Sequence, residues 1–73
     1  MLDRSTFEYL KPTDKQIAEM ATCRRAAALY AATIEGHVPD GPDKTYVLRR
    51  VRETAMWVNV AITRHHDGRP RED

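Results

Sequence analysis

The chain is poor in the features that staple or localise a small protein. It has one cysteine, Cys23, so no internal disulfide can form, and a reducing, cytosolic setting is the simplest fit. Long apolar runs are missing too. The longest stretches without a charge, Ala26 to Ile34 and Thr54 to Thr63, fall far short of the roughly 20 residues that a membrane span needs. Met1-Leu2-Asp3-Arg4 is not followed by an apolar segment, so no secretory leader is expected. Excess charge of either sign is absent: 12 Lys+Arg stand against 11 Asp+Glu, a formal net charge of +1. That balance argues against a histone-like DNA coat and against an acidic tail. Three glycines and four prolines fall in clusters, which leaves two long uninterrupted stretches between them.

Length sets an energetic problem. Chains below about 70–80 residues rarely bury enough apolar surface to offset ordering by themselves. At 73 residues, with disulfides excluded and no metal site evident, self-association is the expected remedy.

The punctuation predicts an all-α fold. Residues 1–12 read as an N-terminal arm, 13–65 as a helical hairpin domain and 66–73 as a polar, frayed tail. Thr13-Asp14-Lys15-Gln16 fits a capping box, with Thr13 as N-cap and Gln16 three residues on. The stretch from there lacks proline, and Gly36 stands where a helix stop belongs, which predicts helix 1 over 14–36. Val38-Pro39-Asp40-Gly41-Pro42 reads as a turn. Pro42 suits the first position of a second helix, and Asp43 its positive dipole end. Helix 2 is predicted over 42–65. Two helices of about 34 Å each, joined by a short turn, form an antiparallel hairpin.

Apolar spacing suggests a seam of Ile17, Met20, Arg24, Ala27, Ala31, Ile34 and Val38 on helix 1. Its counterpart on helix 2 is Val47, Val51, Thr54, Val58 and Ala61. The apolar surface is wider than that seam. Ala26 to Ala32 and Met56 to Ile62 cover most of each helix's circumference, with Asn59 as a polar gap. Helices apolar on so many sides expect more than one neighbour, so other copies or another protein must cover the rest.

Arg24 is the most informative position. A cation on an apolar seam is costly unless paired. It either snorkels or pairs with an acid such as Glu53, or it awaits an anionic ligand suited to a planar guanidinium. Its neighbour Arg25 reads as a solvated or interface charge. Lys44, Arg49, Arg50 and Arg52 form a basic run that is either a solvated face or the lining of a phosphate site. Phe7 and Tyr9 precede the first helix. They staple the arm, or they offer a flat face to a nucleobase, a contact worth roughly 1–3 kcal/mol. Tyr30 and Tyr46 read as interface or core residues, Trp57 as packing and Cys23 as a small buried thiol. His37, His65 and His66 have no chelating spacing. Paired carboxylates, a nucleophile motif and a glycine-rich phosphate loop are all lacking. No enzyme activity, cofactor or metal is expected.

Several segments together resemble one family. They are the arm Phe7-Glu8-Tyr9-Leu10-Lys11-Pro12-Thr13, Gln16-Ile17 and Arg24 in helix 1, the turn Pro39-Asp40-Gly41, and the closing Met56-Trp57-Val58-Asn59-Val60-Ala61-Ile62-Thr63-Arg64. Over residues 7–64 the chain resembles the helical-hairpin domain shared by phage anti-CBASS and anti-Thoeris sponge proteins. The resemblance implies a non-enzymatic homo-oligomer, typically a hexamer, that sequesters cyclic nucleotide second messengers in the host bacterial cytoplasm. The ligands it implies are cyclic dinucleotides, cyclic trinucleotides and glycocyclic ADP-ribose. A tyrosine before helix 1 and a lysine about one-third along it contact a cyclic dinucleotide in the anti-CBASS members. Tyr9 and Arg24 match those positions, with arginine in place of lysine. Lys44 resembles a basic residue assigned to a separate trinucleotide pocket. The candidate ligand-binding set is therefore Tyr9, Arg24, Phe7, Lys44 and Arg25. The alternative is a structural or regulatory oligomeric hairpin that binds a protein, with Arg24 in an interchain salt bridge. Neither a membrane nor a long nucleic acid is an expected partner.

Overall fold

Two helices dominate the molecule. The computed structural model describes residues 4–65 and 68–71. A single 3-10 turn at Arg4–Phe7 leads to α1, Asp14–His37, and then to α2, Pro42–Ile62. No strand occurs among the described residues; their one β-type pairing is an isolated bridge between Arg64 and Pro70.

α1 begins as its capping box requires. The Gln16 N–H donates to Thr13 Oγ1 at 3.2 Å, and the Thr13 N–H donates to Gln16 Oε1 at 3.0 Å. Two orphan donors are thereby satisfied, and Gln16 is 1% exposed. The other end differs from expectation. Gly36 stays helical and is not the stop; positive φ among the described residues occurs only at Gly41 and Gly68. The stop is Pro39, which excludes Val38 from the helical region. Val38 is extended (φ −95°, ψ 130°), and its N–H donates to Ile34 O at 2.9 Å. Gly41 then turns the chain at φ 154°, a conformation L side chains rarely adopt, and Pro42 opens α2.

Lys44 fastens this turn from beneath. Its Nζ donates to Glu35 O at 3.2 Å and lies 3.2 Å from Glu35 Oε2 and 3.0 Å from Asp40 Oδ1. Hydrogen bonds to Asp40 and then Glu35 raise its pKa above the ordinary lysine value of 10.5.

α2 ends at Ile62, three residues short of the predicted 65. Its last carbonyls find partners in the returning chain. Arg71 Nη1 donates to Ile62 O at 2.9 Å, and the Arg71 N–H donates to Thr63 O at 2.8 Å. A turn tightened by Gly68 (φ 89°) brings the chain back. Residues 68–71, expected to fray, therefore cap α2. His66, Asp67, Glu72 and Asp73 lie outside the described residues.

Burial along α2 follows Lys44, Leu48, Val51, Ala55, Val58 and Ile62, a repeat of four and three. The predicted helix 2 seam shared only Val51 and Val58 with this set. Val47, Thr54 and Ala61 are exposed, as are Ile17 and Arg24 on α1. The rotation follows from the turn: with Lys44 held inside, Leu48, Val51 and Ala55 must come inside after it. On α1 the inward positions include Met20, Ala27, Ala31 and Ile34. Ile34 is the one buried apolar residue among the described residues. The molecule is a slab of 42 × 28 × 17 Å with a radius of gyration of 15.0 Å, against about 11 Å for a compact chain of this length. Its accessible surface is 6130 Å², where a compact monomer of this mass exposes about 4,600 Å².

Candidate functional site

Three grooves among the described residues bear on the candidate site. On one side of the seam, Cys23, Ala26, Tyr30, Tyr46, Val47 and Thr54 line a groove of about 450 Å³. On the opposite side, Arg24, Ala28, Ala31, Leu48 and Arg52 line one of about 300 Å³. Ala27, Val51 and Ala55 form the floor of both. The third, about 320 Å³, lies where the arm meets the helix ends, between Tyr9, Leu10, Met20, Asn59, Thr63 and Arg64.

The five predicted site residues do not converge within one protomer. Tyr9 is 87% exposed and lines the third groove, while Phe7, 82% exposed, does not line it. Arg24 stands about 6 Å along α1 beyond Met20 of that groove and lines the 300 Å³ groove instead, exposed on a helix face rather than in the seam where it was expected. Arg25 is exposed and donates to Thr22 Oγ1 at 3.4 Å. Lys44 is at the far end, held by the turn.

The acid anticipated for Arg24 is engaged elsewhere. Glu53 Oε2 accepts from Arg50 Nη1 at 3.1 Å, and the Arg50 guanidinium also lies 6.0 Å from the Tyr46 ring centroid. Neither Arg24 nor Arg52 has an ion pair or hydrogen bond among the described residues. The basic run is thus dispersed: Lys44 turns inward, Arg50 and Arg52 flank opposite grooves, and Arg49 is exposed on α2.

Several side chains depart from their expected environments. Cys23 is exposed rather than buried. Tyr30, Tyr46, Met56 and Trp57 are all exposed, and Met56, Trp57 and Val60 form a further apolar patch beside Glu53. Glu19 carries a buried carboxylate oxygen, Oε1, with no hydrogen-bond partner. Arg52, named in the basic run as possible lining of a phosphate site, and Arg64, named only in the closing segment, were both left out of the candidate set. Arg64 donates to Gly68 O at 2.9 Å and to Glu8 O at 3.4 Å, which ties the arm to the returning tail beside Tyr9. Arg52 was detectable in the spacing, since it follows Leu48 by four residues and precedes Ala55 by three. Reading the seam through Val47 left Arg52 in the basic run without placing it beside Leu48 and Ala55.

Among the described residues no group of His, Cys, Asp and Glu side chains could hold a metal ion. No helix in that set is long and apolar enough to cross a membrane. Comparison with curated proteins gave no match, and comparison with solved structures gave none either. Residues 2–63 match the family described as Acb2/Tad1, hairpin domain. With a paired-helix architecture over that same span, the chain belongs to the Acb2/Tad1 hairpin-domain family.

Proposed function

We propose that this protein is an oligomeric sponge that binds and sequesters cyclic nucleotide second messengers without cleaving them. The observation that carries the reading is family membership across nearly the whole hairpin. Geometry supports it. Arg24 offers an unpaired guanidinium on a shallow groove, and Tyr9 offers an exposed ring at the arm. A phosphate paired with Arg24 and a base stacked on Tyr9 account for both side chains. Because the two line different grooves of one chain, a complete pocket draws Tyr9 from one copy and Arg24 from another. Phe7 and Arg25 stand at its margins, and Lys44 serves the turn that sets the register of α2.

The assembly proposed is a homo-oligomer, with a hexamer as the expected form, acting in the host bacterial cytoplasm as a phage-encoded immune-evasion factor. Cyclic dinucleotides are the first ligand class to test; cyclic trinucleotides and glycocyclic ADP-ribose come next. The competing reading, a structural or regulatory oligomeric hairpin that binds a protein, places Arg24 in an interchain salt bridge and predicts an acid of a neighbouring copy beside it together with silence in nucleotide titrations.

Isothermal titration against cyclic di- and trinucleotides and cyclic ADP-ribose isomers tests the reading. At least one member binds, and Arg24→Ala removes most of that binding. Silence across the panel rejects the sponge. Undiminished affinity in Arg24→Ala rejects the site.

A further inference from the structure

We infer that Arg52 is a second anion-holding residue, and that it shares one phosphodiester of the ligand with Arg24 across the 300 Å³ groove. The inference rests on the sponge reading and adds a contact to its site.

Arg24 comes from α1 and Arg52 from α2, and both line the same groove together with Leu48, Ala28 and Ala31. No acid lines that groove. Four other cations of the hairpin have partners: Arg25 donates to Thr22, Lys44 to Glu35 and Asp40, Arg50 to Glu53 and Arg64 to backbone carbonyls, while Lys15 and Arg49 are exposed and line none of the three grooves. Arg24 and Arg52 have no partner among the described residues. Two like charges over apolar side chains repel one another more strongly than they would in open water. An anion held between them reverses the sign of that interaction. A phosphodiester suits the place because each guanidinium can present a planar pair of N–H donors to its oxygens. The groove's volume sits at the lower edge of ligand pockets, roughly 300 to 1,000 Å³. It therefore receives one phosphate and the adjoining part of a small ligand, and the remainder rests on a neighbouring copy. The other exposed groove, with its two tyrosines, lacks this unpaired pair of cations.

Two measurements on the full chain separate this inference from the sponge reading. In the first, arginine side-chain Nε–H signals are followed by NMR while inorganic pyrophosphate is added. Arg24 and Arg52 shift together and saturate with one apparent affinity, while Arg49, exposed on α2, moves little. If Arg52 moves no more than Arg49, the shared site is rejected, whatever the nucleotide panel gives. In the second, 3′,3′-cyclic di-AMP and a cyclic triadenylate are titrated into the wild type, Arg52→Ala and Arg52→Lys, each confirmed to keep its wild-type oligomeric mass. Arg52→Ala weakens binding about tenfold or more, as expected for a lost charge-assisted hydrogen bond, and Arg52→Lys recovers part of the loss. Wild-type affinity in Arg52→Ala, alongside loss in Arg24→Ala, overturns the role of Arg52 and leaves the sponge standing. Failure of every nucleotide to bind wild type overturns the sponge instead.

Discussion

At Lys44 one ammonium meets three oxygens, drawn from the end of α1 and from the turn. Its raised pKa states the sign of the coupling. The stabilisation is fully present below the ordinary lysine value of 10.5 and is lost as pH rises through the higher folded value. Lys44→Met therefore lowers the thermal midpoint at neutral pH. The gap between variant and wild type closes in strongly alkaline solution, as circular dichroism melts at several pH values will register. Glu19 makes the opposite case. Its buried Oε1 has no partner, and such an oxygen costs about 1–3 kcal/mol. Glu19→Met is expected to leave stability unchanged or raise it in denaturant titration; a clear loss would mean that the oxygen has a partner in the assembled protein.

At the scale of the helix, the ends matter more than the middle. Thr13→Ala removes the acceptor for the Gln16 N–H and is expected to cost about 1 kcal/mol, read from urea midpoints. Arg71→Ala frees the Ile62 carbonyl, so amide exchange in the last turn of α2 should quicken while α1 keeps its protection. These ends also mark how far the sequence was legible. The capping box and the Pro42 start are short-range devices, written within a few adjacent residues, and both are where the pattern put them. The end of α2 was not legible, because Thr63 and Ile62 are capped by Arg71 from eight or more residues away. Rotation of α2 escaped for a related reason. Apolar spacing allowed Val47 or Leu48 to face inward, and a long-range ion pair at a polar residue, Lys44, decided it. Tyr9 and Arg24 could be picked out as chemically unusual, but their separation is a property of the folded chain.

For the molecule as a whole, surface is the governing quantity. It exposes about 1,500 Å² more than a compact monomer of its mass would, and Trp57, Met56, Tyr30, Tyr46 and Leu29 contribute to that excess. Obligate interfaces bury about 2,000–5,000 Å² in total, so an excess of this size per chain is what an assembly consumes. Light scattering after size exclusion is expected to give a mass several times 8.4 kDa. Trp57→Glu, which places a charge in the exposed patch with Met56 and Val60, lowers that mass; an unchanged mass would take the patch out of the interface.

Ala27, Val51 and Ala55 separate the groove on one side of the hairpin from the groove on the other. Side chains that line both grooves cannot adjust to an occupant on one side without moving on the other. Whatever settles against Arg24 and Leu48 thereby alters the fit of whatever covers Tyr30 and Tyr46, and thermodynamic reciprocity gives the two events the same coupling free energy. Capture of a small ligand and recruitment of another copy then become linked equilibria. Apparent ligand affinity should weaken on dilution below the assembly threshold, and added ligand should push that threshold lower.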